Sequence, residues 1–584
     1  MKRWLDALAA PVLALLALGA SVVGLTNQFV YDDRYIIRLN PAVASLHHWW
    51  RLFGESYWPV GAGGDGYRPL TILAFSVEWA LGHHRPLLFH AVNLTLYVVV
   101  ALLVFQLAQL MLPRWIAWIV AALFAVHPVH VEAVANGVGQ EELWVAVAMI
   151  SAVVLYVRGR RRGPLRPWAS VAIVALYACA CFFKEHGIVL PGLLAVCELL
   201  LVPDARSVRV RAREMRPFIL ALVAVAIGFL AAHSAVLASH GLTGFNEFVP
   251  FQTLKLSARD RILTMFGVLP QWIRLFYWPA RLRSEYAPPD ITIAQGFSVT
   301  QVPGMILLAA VLGLAVVAWR KRPVLALGIA WTVITLLPSS NFIVPAGIIL
   351  AERTLFLPSV GAMLIAGDLI WWLAPRLRRP SLQPAGLALV GVLIALGLAR
   401  SESRSRVWHD NTTLLTQAVA DAPDSYRAHY MLSVWYGLTN RTTQSEREGW
   451  TALRLFPYDP FLSFGLAESY QKKRVCRPAA DLYAWTFALS PKFALGHQNY
   501  AVCLMLLGRY TEARQQAFIA MGRAIGTLPQ LHQMVAVADS VLHADSLSGR
   551  GVRLTGSTGK VPEPPQKTGT SSPQETASPP RKSF

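Results

Sequence analysis

The sequence predicts an all-α protein. A polytopic membrane helical bundle of about eleven spans is followed by an α-solenoid of paired helices. Three observations carry this reading. The 584 residues are 55% hydrophobic and only 15% charged, less charge than soluble domains carry. Apolar runs recur through the first 400 or so residues, with basic clusters between alternate runs. Beyond them, Pro423, Pro457 and Pro491 are spaced by 34 and again by 34 residues.

The expected spans lie near 7–25, 88–112, 116–135, 142–157, 168–184, 186–202, 217–238, 303–319, 323–338, 355–373 and 383–400. The net charge of +20 alone suggests a polyanion partner. Its distribution argues instead for topology. Lys2-Arg3, Arg114, Arg158 to Arg166, Arg206 to Arg216, Arg320-Lys321-Arg322 and Arg376 to Arg379 all fall on one side, as cytoplasmic loops do. A nucleic-acid partner is therefore not expected. The first segment also has small residues, Gly19-Ala20-Ser21, in the position of a signal-peptide cleavage site. The later topology is the same either way.

Two long loops then face outward, at about 26–87 and 239–302. Arg261 to Leu282 is basic and aromatic and reads as a helix lying at the headgroup level. Pro69 to Leu81 reads as a second. The period of 34 is that of tetratricopeptide repeats. Ala501, Gly508, Tyr510, Ala513 and Ala520 share its phase, as do Ala467, Tyr470 and Ala479. The expected domains are 1–400, 401–549 and a disordered tail 550–584 rich in Ser, Thr, Pro, Gly and Lys. Of five cysteines, Cys179, Cys181 and Cys197 read as core residues. Cys476 and Cys503 are expected as free thiols, with a disulfide as the alternative outside the cytoplasm.

Six polar clusters fall on the outer side. They are Asp32-Asp33, Tyr67-Arg68, His127 to Glu132 (with His130 between), Gln140-Glu141-Glu142, Lys184-Glu185-His186 and Glu352-Arg353. Mixed acids and bases at membrane spans are costly unless they face water, each other or a substrate. Their recurrence on one side points to one site for an anionic substrate. Arg68, Lys184 and Arg353 supply cations for a phosphate. Asp32 or Asp33 supplies a base, with Asp33 slightly favoured as the essential one. No Gly-rich phosphate loop, Ser-His-Asp order or thiol nucleophile is present. His127, His130 and Glu132 admit a divalent metal, although a hydrogen-bonded kink at Pro128 is the simpler reading. No protein metal ligand is assigned and no cofactor is required.

Phe29-Val30-Tyr31-Asp32-Asp33, Tyr67-Arg68-Pro69-Leu70-Thr71, Phe89-His90-Ala91-Val92-Asn93, Phe124 to Val134, Lys184-Glu185 and Ala351 to Ser359 together resemble the transmembrane and tetratricopeptide-repeat O-mannosyltransferases and their bacterial relatives. Arg261 to Tyr286 and Trp408 to Tyr430 extend the resemblance. It implies the GT-C glycosyltransferase fold, a polyprenyl-phosphate sugar donor and inverting transfer to a hydroxyl. The acceptor is expected to be Ser or Thr of a protein, or a glycan, held near the repeats. It also implies that His90, His127, His130, Glu132, Glu185 and Glu352 help to form the substrate site. The expected location is the bacterial inner membrane, multi-pass, with the repeats periplasmic. Two rival readings stay open: a ligase or polymerase of lipid-linked glycans, and a non-enzymatic repeat scaffold. The chain departs from the family pattern at Gly139-Gln140-Glu141-Glu142, where an arginine is common, and in its shorter repeat array.

Overall fold

In a computed structural model, residues 2–59, 66–240, 249–375, 383–491, 493, 495–523, 529–547 and 561–563 are described. The expected tail, apart from 561–563, and the basic stretch Arg376 to Arg379 lie outside them. Among the described residues every regular element is helical. The chain divides into two compact units, residues 1–435 and 436–584.

In the first unit α1 (Lys2–Ser21) leads through a short turn of helix into the loop that carries Asp32. After α2 (Pro69–Leu81) come α3 (Pro86–Ala108), α4 (Arg114–Ala125), α5 (Val131–Ala135), α6 (Gln140–Arg160), α7 (Pro167–Phe183) and α8 (Leu190–Leu201). Then follow α9 (Val208–Glu214), α10 (Arg216–Ser239), α11 (Val249–Thr253), α12 (Ala258–Tyr277), α13 (Val302–Lys321), α14 (Pro323–Leu336), α15 (Phe356–Leu373), α16 (Gln383–Val407) and α17 (Asn411–Asp421). Many of these helices begin with Pro in the first turn, where its missing N–H costs nothing.

The expected count of about eleven spans is not met by length. Seven described helices are long and apolar enough to cross a membrane, or eight with α4 and α5 taken as one span bent by 48°. The other three expected spans are the shorter helices α7, α8 and α14. The reason is local. Lys184 and Glu185 turn the chain between α7 and α8 through a short tight helix, and Pro128 breaks α4 from α5. The two stretches expected to be helical in the long loops form α2, which is apolar, and α12, which is amphipathic. A capping box of Ser257 and Asp260 starts α12.

The bundle packs through small residues, as membrane helices do. A Cβ on Gly361 would lie 2.4 Å from the Gly328 carbonyl oxygen, so α14 and α15 touch backbone to backbone. Trp408 and Leu414 pack on Val30, Val131 and Ala135. This contact ties residues 401–435 to the loop bearing Asp32.

The helix α18 (Tyr426–Leu438) straddles the division between the units. The second unit holds α19 (Thr442–Leu455), α20 (Pro460–Lys472), α21 (Cys476–Leu489), α22 (His497–Leu506), α23 (Tyr510–Arg523) and α24 (Pro529–Leu547). Each helix packs on the next, and α20 and α22 also touch, as do α22 and α24. Pro457 and Pro491 fall in the turns between helices. Ala467, Ala479, Ala501 and Ala513 are buried between neighbours. Cys476 and Cys503 are buried free thiols beside one another.

Candidate active site

Helices α6 and α15 run from one end of the bundle to the other. Their N-termini bring Glu141, Glu142, Glu352 and Arg353 to the same end as Asp32, Arg68 and Lys184. The six sequence clusters meet there as an ion-pair network. Arg353 bonds Glu132 through its guanidinium at 2.5 Å and its backbone N–H at 2.9 Å, and lies 3.7 Å from the Asp32 carboxylate. Arg68 bridges Glu141 at 2.7 Å and Glu185 at 2.8 Å, with its guanidinium over the Tyr57 ring. Lys184 donates to Glu141 and Glu142, both at 2.6 Å.

Burial divides this network into two layers. Asp32, Arg68, Glu185 and Arg353 are partly exposed, and the Asp32 side chain is 20% exposed. Asp33, Glu132, Glu141, Glu142, Lys184 and Glu352 are buried. The buried layer holds the exposed layer in place. Lys184 is therefore not free for a phosphate. The Lys184 side chain is 6% exposed and its ammonium is spent on two carboxylates. Glu352 likewise points into protein, accepting from Tyr286 Oη at 2.7 Å and from the Arg283 N–H.

The acidic pair splits by role. Asp33 is fully buried, and its carboxylate accepts the N–H groups of Val30, Gly137 and Val138 at 3.2, 3.1 and 2.7 Å. It staples the Asp32 loop to the turn before α6. A Cβ on Gly137 would lie 3.0 Å from both Asp33 oxygens, so the close approach requires glycine there. Burial pushes the Asp33 carboxyl up to about 7, against the three N–H bonds that lower it. Asp32 instead is partly exposed. Burial raises it to about 6, opposed by the Arg353 charge. The preference for Asp33 as the essential residue thus meets a geometry in which Asp32 is the reachable carboxylate.

Three participants were missed in the sequence. Tyr31, with φ +56°, holds a left-handed conformation that a bulky residue adopts only under constraint. Its N–H donates to Asn411 Oδ1 at 2.8 Å, and its hydroxyl donates to Glu285. Arg427 pairs with Glu285 at 3.0 Å. Glu285 and Arg427 lie within electrostatic reach of Asp32. The stretches Phe29 to Asp33, Arg261 to Tyr286 and Trp408 to Tyr430 contained them without singling them out.

The histidines do not open onto the site. His127 Nε2 donates to the Phe276 carbonyl at 2.9 Å, and its Nδ1 accepts from the Val129 N–H. His130 is bonded to Ser359 Oγ at 2.8 Å and Tyr97 Oη at 3.0 Å. Both are fully engaged in the kink. His90 is buried against the Asn27–Gln28 backbone, with neither ring nitrogen in a well-formed hydrogen bond. All three histidines are buried. Among the described residues, no three His, Cys, Asp or Glu side chains cluster closely enough to hold a metal ion. Gln140, where the family pattern often has arginine, bonds Glu78 and Asn93, each at 3.0 Å.

No protein-family profile matches the chain. It is 25% identical over 446 residues to protein O-mannosyl-transferase F38B6.6 of Caenorhabditis elegans, covering 74% of this chain and 60% of that protein. It is 25% identical over 498 residues to protein O-mannosyl-transferase TMTC1 of Homo sapiens, covering 76% and 55%. It is 23% identical over 548 residues to protein O-mannosyl-transferase TMTC3 of Mus musculus, covering 86% and 58%. The chain thus spans 55 to 60% of the length of these curated relatives and is similar to proteins named as O-mannosyl-transferases.

Proposed function

We propose that the chain is a membrane glycosyltransferase that moves a sugar from a polyprenyl-phosphate donor to a Ser or Thr hydroxyl of an envelope protein. The carrying observation is the partly exposed Asp32 carboxylate beside Arg353, on a loop stapled by Asp33 and Tyr31. The names of the relatives support the same reaction class.

In this reading the acceptor O–H gives its proton to the Asp32 carboxylate as its oxygen forms a bond to the anomeric carbon. The bond from that carbon to the phosphate oxygen breaks, and the electron pair leaves with the phosphate. Attack opposite the leaving group inverts the anomeric centre. Arg353 and Arg68, partly exposed and held by buried carboxylates, face the departing phosphate. A positioned base contributes on the order of 10²–10⁴-fold. Glu132 and Glu141 keep these guanidinium groups oriented before substrate arrives, so little reorganisation is needed.

The same reading takes the bundle as GT-C-like with eleven crossings, short ones included, and the site as periplasmic on a bacterial inner membrane. The second unit is read as a tetratricopeptide solenoid that holds the acceptor.

The test compares envelope glycoproteins by mass spectrometry with and without the protein, and transfer in vitro from a polyprenyl-phosphate sugar. Loss of hexose from specific Ser or Thr sites supports the reading. Intact protein glycans together with altered lipid-linked glycan length would replace it with the ligase reading.

A further inference from the structure

The opposite end of the bundle holds a cavity of about 440 Å³. It forms where the C-terminal ends of α6, α8, α13 and α15 meet the start of α14. Its polar lining is Arg161, Lys321, Arg322 and Asp368, with Trp371 and Trp372 beside them. Three cations thus face one carboxylate. Arg322 spends its charge on Asp368 at 2.5 Å and lies over the Trp372 ring. Arg161 is held by two backbone carbonyls, Leu201 and Leu110, at 3.1 and 2.6 Å. Among the described residues neither Arg161 nor Lys321 has a carboxylate partner. Trp371 and Trp372 are half-exposed, as tryptophans at the headgroup level are.

We infer that this cavity binds the phosphate-bearing headgroup of an anionic lipid. A carbonyl-braced arginine and an unpaired lysine supply net positive charge in a cleft between helices. Lipid-facing tryptophans sit at its rim. Basic pockets of this kind on the cytoplasmic side take anionic headgroups. Free inorganic phosphate shares the charge but has no acyl chains to lie along the adjoining apolar helix surfaces, so the lipid is favoured. The inference is independent of the reaction proposed at the other end.

Native mass spectrometry of the full-length protein in mild detergent tests it, with phosphatidylglycerol and phosphatidylcholine offered together. Phosphatidylglycerol should be retained preferentially. Lys321→Gln, an exposed change compatible with folding, should lower that retention about fivefold, as one interfacial charge does. Arg213→Gln, on exposed α9 outside the cavity, should leave it unchanged. An excess of inorganic phosphate should not displace the lipid. Equal retention of the two lipids, or equal effects of the two substitutions, would overturn the site. Displacement by phosphate would overturn the lipid as its ligand.

Discussion

The two ends of the membrane unit use charge in opposite ways. At the Asp32 end, acids and bases alternate and are bound to one another: Arg68 with Glu141 and Glu185, Lys184 with Glu141 and Glu142, Arg353 with Glu132. At the other end, about 30 Å away along α6, some arginines pair, as Arg160 does with Glu198 at 2.7 Å. Among the described residues Arg161 and Lys321 have no carboxylate partner. Buried charges must be matched in place, whereas charges at a headgroup surface need only water or lipid. The first pattern builds a rigid, preformed site. The second is the pattern from which we infer a lipid site.

The largest effect expected from this contrast is on stability. Lys184→Ala removes the one cation shared by buried Glu141 and Glu142. It should cost roughly 3–5 kcal/mol, read as a fall in the thermal unfolding midpoint. Lys321→Gln at the other end should stay within about 0.5 kcal/mol. Equal effects would erase the distinction between the ends.

Asp33→Asn is expected to be next in size. One oxygen is lost, and an amide N–H₂ is set against backbone donors from Val30, Gly137 and Val138. The cost should be about 1–3 kcal/mol, with activity falling alongside stability. A variant of wild-type stability would remove the staple role.

The smallest effect is the pH profile. A base must be ionised, and Asp32 is raised to about 6 by burial. Transfer measured as kcat/KM should therefore fall about tenfold per pH unit below that point and level off above it. A flat profile between pH 5 and 7 in a well-folded enzyme, with chemistry limiting, would contradict Asp32 as the base.

Much of the bundle was legible because apolar periodicity and basic loops are local signals. Helix α12 was legible for the same reason: its amphipathy is written in consecutive residues. The start of α8 was not, since the tight turn Glu185–Val189 takes up the first residues of the expected run 186–202. The clusters of the site were legible as clusters, but their pairing was not. Arg68 meets Glu185 across 117 residues, and nothing local distinguishes that partner from others. Lys184 read as a ligand because a lone lysine in sequence carries no sign of two carboxylates closing on it. Glu285 sits in an irregular stretch without periodicity, and Arg427 beside a repeat-like pattern, so neither stood out.

The most direct test of the central claim is transfer by Asp32→Asn beside its thermal stability. The substitution keeps size and removes the base at a partly exposed position. The account predicts a loss of 10²–10⁴-fold in transfer, with an unchanged unfolding midpoint and donor still bound. Wild-type transfer by a stably folded Asp32→Asn protein would contradict it.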